Sequence, residues 1–126
     1  MSANEPHILI VDDDEYLLDI YSMKFREEGV KIDTAVGGNE AIDKISSGED
    51  YDIVLLDIIM PKVGGFEVLE QLTEEGVDVD AEIMILSNQG QPDDIKRAED
   101  YGIDEYIVKA NAVPSEVVDR VLEKLP

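Results

Sequence analysis

The feature that most restricts this chain is a fivefold alternation: short, continuous apolar runs each followed by a segment with helical periodicity. The first run is 7–11 (HILIV), and the segment 15–28 after it puts Leu17, Leu18, Tyr21 and Phe25 on one helical face before Gly29 stops it. Residues 31–36 alternate as a second strand. A short helix over 39–47 follows, with Ala41, Ile42 and Ile45 inward. The third pair is 52–56 (DIVLL) and 66–75, anchored by Phe66, Leu69 and Leu72. The fourth is 82–86 (EIMIL) and a weaker helix over 92–101, whose inward candidates are Ile95, Ala98 and Tyr101. The fifth is 105–108 (EYIV) and 114–125, with Val117, Val121 and Leu125 in line. Strands that read as unbroken apolar runs are buried on both faces, as parallel strands covered by helices are. Five successive βα units therefore predict an α/β layered fold.

Length and charge narrow the function classes. A chain of 126 residues suits one domain, expected to span 1–126 with its core over about 6–125 and no separate output domain. A hydrophobic fraction of 44% supplies a core that folds without staples, and the absence of cysteine excludes disulfides and thiolate metal sites. No apolar run approaches the roughly 18 residues of a membrane span. Residues 1–6 lack the basic and apolar regions of a signal peptide, so the expected location is cytoplasmic. Thirty-one acidic residues face ten Lys and Arg, a formal charge of −21. Nucleic acid and anionic membranes repel such a surface, and neither is expected as a partner. Most of these acids read as a solvated surface.

Functional groups in open α/β sheets gather beyond the carboxyl ends of the strands. After the first strand come Asp12, Asp13 and Asp14; after the third, Asp57; after the fourth, Ser87; after the fifth, Lys109. The second ends in Val36, Gly37 and Gly38 and delivers nothing comparable. Carboxylates brought together repel one another, so the site calls for a cation, and hard oxygen ligands suit Mg²⁺. An aspartate can act as a nucleophile toward phosphorus, with an ammonium and a hydroxyl as partners for phosphoryl oxygens. The residues thus point to metal-assisted transfer of a phosphoryl group onto a carboxylate. Asp14, just before the first helix, reads instead as its N-cap. His7 is the only histidine, so a histidine-cluster metal site or an internal phosphohistidine relay is not expected, and it reads as a structural residue opening a strand.

VDDD at 11–14, LLDIIMPKVGGFEVL at 55–69, ILSN at 85–88 and YIVKA at 106–110 resemble the receiver domain of two-component response regulators, chemotaxis regulators included. The resemblance covers nearly the whole chain. It implies a flavodoxin-like (βα)5 fold, a five-stranded parallel sheet in the order 2-1-3-4-5 with helices on both faces. It implies a signalling switch rather than an enzyme, promoting only its own phosphorylation and dephosphorylation. A histidine kinase or phosphotransfer protein would pass a phosphoryl group to Asp57 with Mg²⁺ (Mn²⁺ as the alternative ion), and a downstream protein would read the altered surface. Asp13 would bind the metal directly and Asp12 mostly through water. Asp57 and the Ile59 backbone carbonyl would complete the protein ligands. Lys109 and Ser87 would contact the phosphoryl group, and Ser87 with Tyr106 would form the switch. Pro61 and Gly65 would shape the loop after Asp57, Gly65 by freeing φ. No organic cofactor is implied, and the chain is expected as a monomer or a phosphorylation-linked dimer.

Two positions depart from the family pattern, and two more lie where that pattern varies. Ala110 follows Lys109 where the family has proline across a cis bond. Either a cis bond is kept at a cost of about 3–4 kcal/mol, or the bond is trans and Lys109 sits differently. Asn88 follows Ser87 where a small residue is usual. Ile59 and Gln89 occupy variable positions flanking the site, and an apolar Ile59 predicts hindered water and a long-lived phosphoryl form. Two other readings compete. One is a pseudo-receiver, an interaction module without phosphate cycling. The other is a Mg²⁺-dependent phosphohydrolase, which would want an acid two residues after its nucleophile, where Ile59 stands. A nucleotide-binding relative would want a phosphate-cradling loop where the acids sit.

Overall fold

The computed structural model describes residues 5–88 and 90–125. Its elements run β1 (His7–Asp12), α1 (Glu15–Glu27), β2 (Lys31–Val36), α2 (Gly38–Ser46), β3 (Ile53–Leu56), α3 (Gly65–Glu74), β4 (Glu82–Ser87), α4 (Pro92–Asp100), β5 (Tyr106–Val108) and α5 (Pro114–Leu122). A 3₁₀ turn, Lys109–Asn111, lies between β5 and α5. The strands form one parallel sheet in the order β2-β1-β3-β4-β5. This is the flavodoxin-like (βα)5 arrangement that the resemblance implied.

Alternation along the strands decides which side chains meet which helices. Ile8, Ile10, Ile53, Leu55, Met84, Leu86 and Ile107 face α1 and α5, where Leu18, Tyr21, Phe25, Val117 and Val121 close a buried layer. Leu9, Val11, Val54, Leu56 and Ile85 face the other way, onto Ala41, Ile42 and Ile45 of α2, Phe66, Leu69 and Leu72 of α3, and Ala98 of α4. Burial on both faces is why β1 and β3 read as continuous apolar runs. The expected alternation of β2, at the edge, is not kept: it buries only Ile32 and Ala35, one toward each layer, with Asp33 and Thr34 half-buried between them.

The helix boundaries follow from local chemistry. Asp14 N-caps α1, its carboxylate accepting from the Tyr16 and Leu17 N–H groups at 3.0 and 3.3 Å. Glu67 and Glu116 reach back to the N–H groups of Gly64 and Val113, at 3.1 and 2.9 Å, at the starts of α3 and α5. Two sequence assignments change. In α4 only Ala98 is buried; Ile95 and Tyr101 stay 38% and 37% exposed, because a single small residue brings the helix against the sheet. α5 stops at Leu122, so Leu125 packs from beyond the helix.

Candidate functional site

The carboxyl ends of β1 and β3 are held in register, with the Asp57 N–H bonded to the Val11 carbonyl at 3.1 Å. This places Asp12 and Asp57 beside each other above the sheet. Lys109, following β5, extends its side chain between them. Its Nζ lies 2.6 Å from Asp12 Oδ2 and 3.1 Å from Asp57 Oδ2. The Lys109, Asp12 and Asp57 side chains are 8%, 1% and 5% exposed, so this is a buried ionic cluster. The remaining oxygens are engaged by backbone: Asp12 Oδ1 accepts from the Asp14 N–H at 3.0 Å, and Asp57 Oδ1 from the Ile59 N–H at 3.1 Å. Asp13 is exposed at the rim.

Lys109 reaches the acids through a trans backbone. No described peptide bond is cis, so the Lys109–Ala110 bond is trans, and the chain turns through the 3₁₀ segment instead. A proline after Lys109 is therefore not needed to bring the ammonium to Asp12 and Asp57.

The loop after Asp57 is shaped by two constraints. The Val63 N–H bonds to the Pro61 carbonyl at 2.8 Å across Lys62, whose φ is +69°, a strained γ-turn geometry for a non-glycine residue. Gly65 does not occupy the left-handed region, so the expectation that it frees φ is corrected. It is required for space: a Cβ there would stand 2.5 Å from the Asp57 carbonyl oxygen and 2.9 Å from the Ile58 Cα. The first turn of α3 thus lies directly under the Asp57 backbone.

Asp12, Asp13, Asp57, Ile59, Asn88 and Lys109, with Asp14 and Leu17, line a cleft of about 430 Å³. Half of the Ile59 side chain is exposed there. Ser87 ends β4 and is fully buried, so the hydroxyl lies behind the cleft wall while its neighbour Asn88 forms part of it. Tyr106 pairs with Ile85 at the start of β5, half-buried and packed on the α2–α4 side of the core. Burial first, then the Asp94 and Asp57 charges, push its hydroxyl pKa up to about 12. Gln89, singled out in the sequence, lies outside the described residues.

The electrostatics favour a divalent cation. Burial and the Asp57 charge hold the Asp12 carboxyl above its usual range, against the pull of Lys109. Burial alone would lower the Lys109 pKa, but its hydrogen bond to Asp12 and the Asp57 charge raise it, so the ammonium stays charged. Three carboxylates against one ammonium leave two excess negative charges, which a divalent ion would cancel. Asp12, Asp13 and Asp57 each offer an oxygen within 4.8 Å of the others, an all-oxygen donor set that fits Mg²⁺.

Residues 8–121 match the response regulator receiver domain family. The chain belongs to that family. It is 36% identical over 115 residues to the response regulator SaeR of Staphylococcus aureus, a match covering 91% of this chain and 48% of SaeR. The chain thus spans about half the length of the curated relatives it matches. Among solved structures, TrrA of Thermotoga maritima, in complex with Mg²⁺–BeF, is 34% identical with a TM-score of 0.78, covering 95% of this chain and 99% of TrrA. CheY of Borrelia burgdorferi, in a CheX–CheY–BeF₃–Mg²⁺ complex, is 33% identical with a TM-score of 0.81, covering 94% of this chain and 87% of that one. No described helix is long and apolar enough to cross a membrane.

Proposed function

We propose that this chain is a phosphorylation-operated switch that accepts a phosphoryl group on Asp57 from the phosphohistidine of a histidine kinase or phosphotransfer protein. The observation that carries the reading is the Lys109 ammonium held between Asp12 and Asp57 in a cleft rimmed by Asp13. Asp12, Asp13, Asp57 and the Ile59 carbonyl would hold Mg²⁺. When bound, the ion supplies positive charge against the phosphoryl oxygens. A carboxylate oxygen of Asp57 attacks phosphorus in line, an O–P bond forms, and the P–N bond breaks with its electron pair returning to the donor imidazole. The Ile59 N–H on Oδ1 and Lys109 on Oδ2 fix the plane of the attacking carboxylate. Lys109 then carries a counter-charge to the new acyl phosphate. The Ser87 hydroxyl moves to the phosphoryl oxygens and Tyr106 follows inward, which alters the surface around α4 and β5 and its affinity for a downstream protein.

Acetyl phosphate with the intact chain tests this directly. The expected result is a mass gain of one phosphoryl group that requires Mg²⁺, disappears in EDTA and is absent from Asp57→Asn. A Mg²⁺-dependent gain that persists in Asp57→Asn would place the acceptor elsewhere. No gain from acetyl phosphate or from a phosphohistidine donor would make the chain an interaction module that does not cycle phosphate.

A further inference from the structure

We propose that His7, Asp33 and Glu49 form a second metal site, selective for a transition-metal ion of borderline softness such as Zn²⁺, at the strand edge opposite Asp57. These residues are distant in sequence and meet where β1 begins, along edge strand β2 and on the α2–β3 loop. One ligand atom from each lies within 4.8 Å of the others. His7 Nε2 stands 3.1 Å from Asp33 Oδ2, and Nδ1 stands 3.8 Å from Glu49 Oε2.

The independent observation is the state of the imidazole. The His7 side chain is only 8% exposed, yet its buried Nε2 makes no well-aligned hydrogen bond; Asp33 Oδ2, at 3.1 Å, is within polar contact but off the N–H direction. Buried ring nitrogens normally find a partner, so this one has coordination capacity to spend on something that is not a protein donor. The spacing fits an ion: two ligands about 2.0–2.1 Å from one metal, at tetrahedral or octahedral angles, lie about 3.0–3.4 Å apart. The ring is also held in place. The His7 N–H donates to Asp52 Oδ2 at 2.9 Å, its carbonyl accepts from the Asp52 N–H at 2.8 Å, and the ring packs on Tyr51 at 4.6 Å between centroids.

Asp33 is prepared in the way metal-binding carboxylates are. The Tyr51 hydroxyl donates to its Oδ2 at 2.8 Å, an outer hydrogen bond that orients the ligand. Burial works to raise the Asp33 pKa, but that hydrogen bond and the charges of His7 and Lys44 outweigh it and keep the carboxylate ionised. Glu49 is 52% exposed on a loop and lies nearer Nδ1, so joining an ion held by Nε2 and Asp33 would require its side chain to swing across the ring edge. An ion bound at Nε2 would take the place of the ring proton, and an imidazole ligand with two carboxylates is then balanced in charge by one divalent ion. The donor set differs from that of the cleft: imidazole with carboxylate suits Zn²⁺ and its neighbours, whereas oxygens alone suit Mg²⁺. Each end of the sheet would therefore select its own ion.

The test uses tag-free full chain at about pH 7.5, above the ordinary imidazole range, with saturating Mg²⁺ in the acidic cleft. Zn²⁺ is added while the ring signals of the only histidine are followed by NMR and affinity is measured by calorimetry. The ring signals are expected to shift and saturate at one equivalent. Glu49→Gln, a surface change, should weaken Zn²⁺ binding on the order of tenfold or more, and Asp13→Asn should leave it unchanged. Ring signals unmoved by Zn²⁺, equal affinity in Glu49→Gln and wild type, or loss of binding in Asp13→Asn instead would each overturn the site. None of these readouts depends on phosphorylation of Asp57.

Discussion

At the scale of single residues, Lys109 has the largest predicted effect. Removing it leaves two carboxylates buried without their counter-charge, an omission that typically costs about 3–5 kcal/mol. Lys109→Ala should show a loss of that size in urea unfolding without Mg²⁺, and a smaller one with Mg²⁺ present. A loss under about 1 kcal/mol would mean the ion pairs contribute no more than surface contacts do. The pKa directions give a pH test. The Asp12 pKa is raised in the fold, so its contribution is present below the unfolded value of 3.8 and lost as pH rises through the folded one. Measured without Mg²⁺, the stability of Asp12→Asn relative to wild type should therefore improve from about pH 4 to pH 7; the reverse trend would count against a strained, buried Asp12. The Lys109 pKa is also raised, and its contribution persists until pH climbs past 10.5 and through the folded value. Ile59 presents an apolar side chain to the cleft, and Ile59→Asn should shorten the lifetime of the phosphorylated form by easing the approach of water. An unchanged lifetime would assign that control elsewhere.

At the scale of elements, α4 is the weakest anchored. It buries only Ala98, against four or more residues for α1 and α3. What holds it is a polar and aromatic clamp: the Arg97 guanidinium sits 4.5 Å from the Phe66 ring centroid, Tyr101 stacks on the same ring at 6.1 Å, and Arg97 Nη2 lies 3.6 Å from Glu70 Oε2. Exposed cation–π and ion-pair contacts contribute about 0.5–1 kcal/mol each, so α4 should open locally well below the global unfolding energy. Hydrogen exchange should show α4 amides exchanging faster than those of α1, and Arg97→Ala should accelerate α4 selectively. Equal protection of the two helices would show that α4 is anchored as firmly as α1. The periodicity of 92–101 already marked this helix as weak, but its reliance on Phe66 of α3 was invisible, because that contact joins two elements across β4.

At the scale of the whole molecule, a charge of −21 makes the folded state repel itself, and cations should relieve it. Thermal stability should rise with added NaCl, and rise further with Mg²⁺ at concentrations where NaCl has little effect. At a hundred times its dissociation constant, Mg²⁺ should contribute about 2.7 kcal/mol, or on the order of 10 °C in Tm. A Mg²⁺ effect no larger than that of NaCl at equal ionic strength would argue against a specific site.

The βα alternation, the burial of β1 and β3 on both faces and the delivery of Asp12, Asp13, Asp57, Ser87 and Lys109 to one edge of a sheet were legible in the residue order alone. These follow from side-chain periodicity and from the rule that parallel strands all end on the same side, both local properties. Packing in three dimensions settles the rest: a trans Lys109–Ala110 bond still brings the ammonium between two carboxylates, Gly65 is needed for space rather than for φ, and Ser87 lies behind the cleft wall. It alone brought His7, Asp33 and Glu49 together, since their spacing matches no motif and their meeting depends on β1 pairing with β2 beneath the α2–β3 loop. Distances of 2.6 to 3.1 Å between groups 97 and 52 residues apart are set by the packing of the whole chain, which no window of sequence contains.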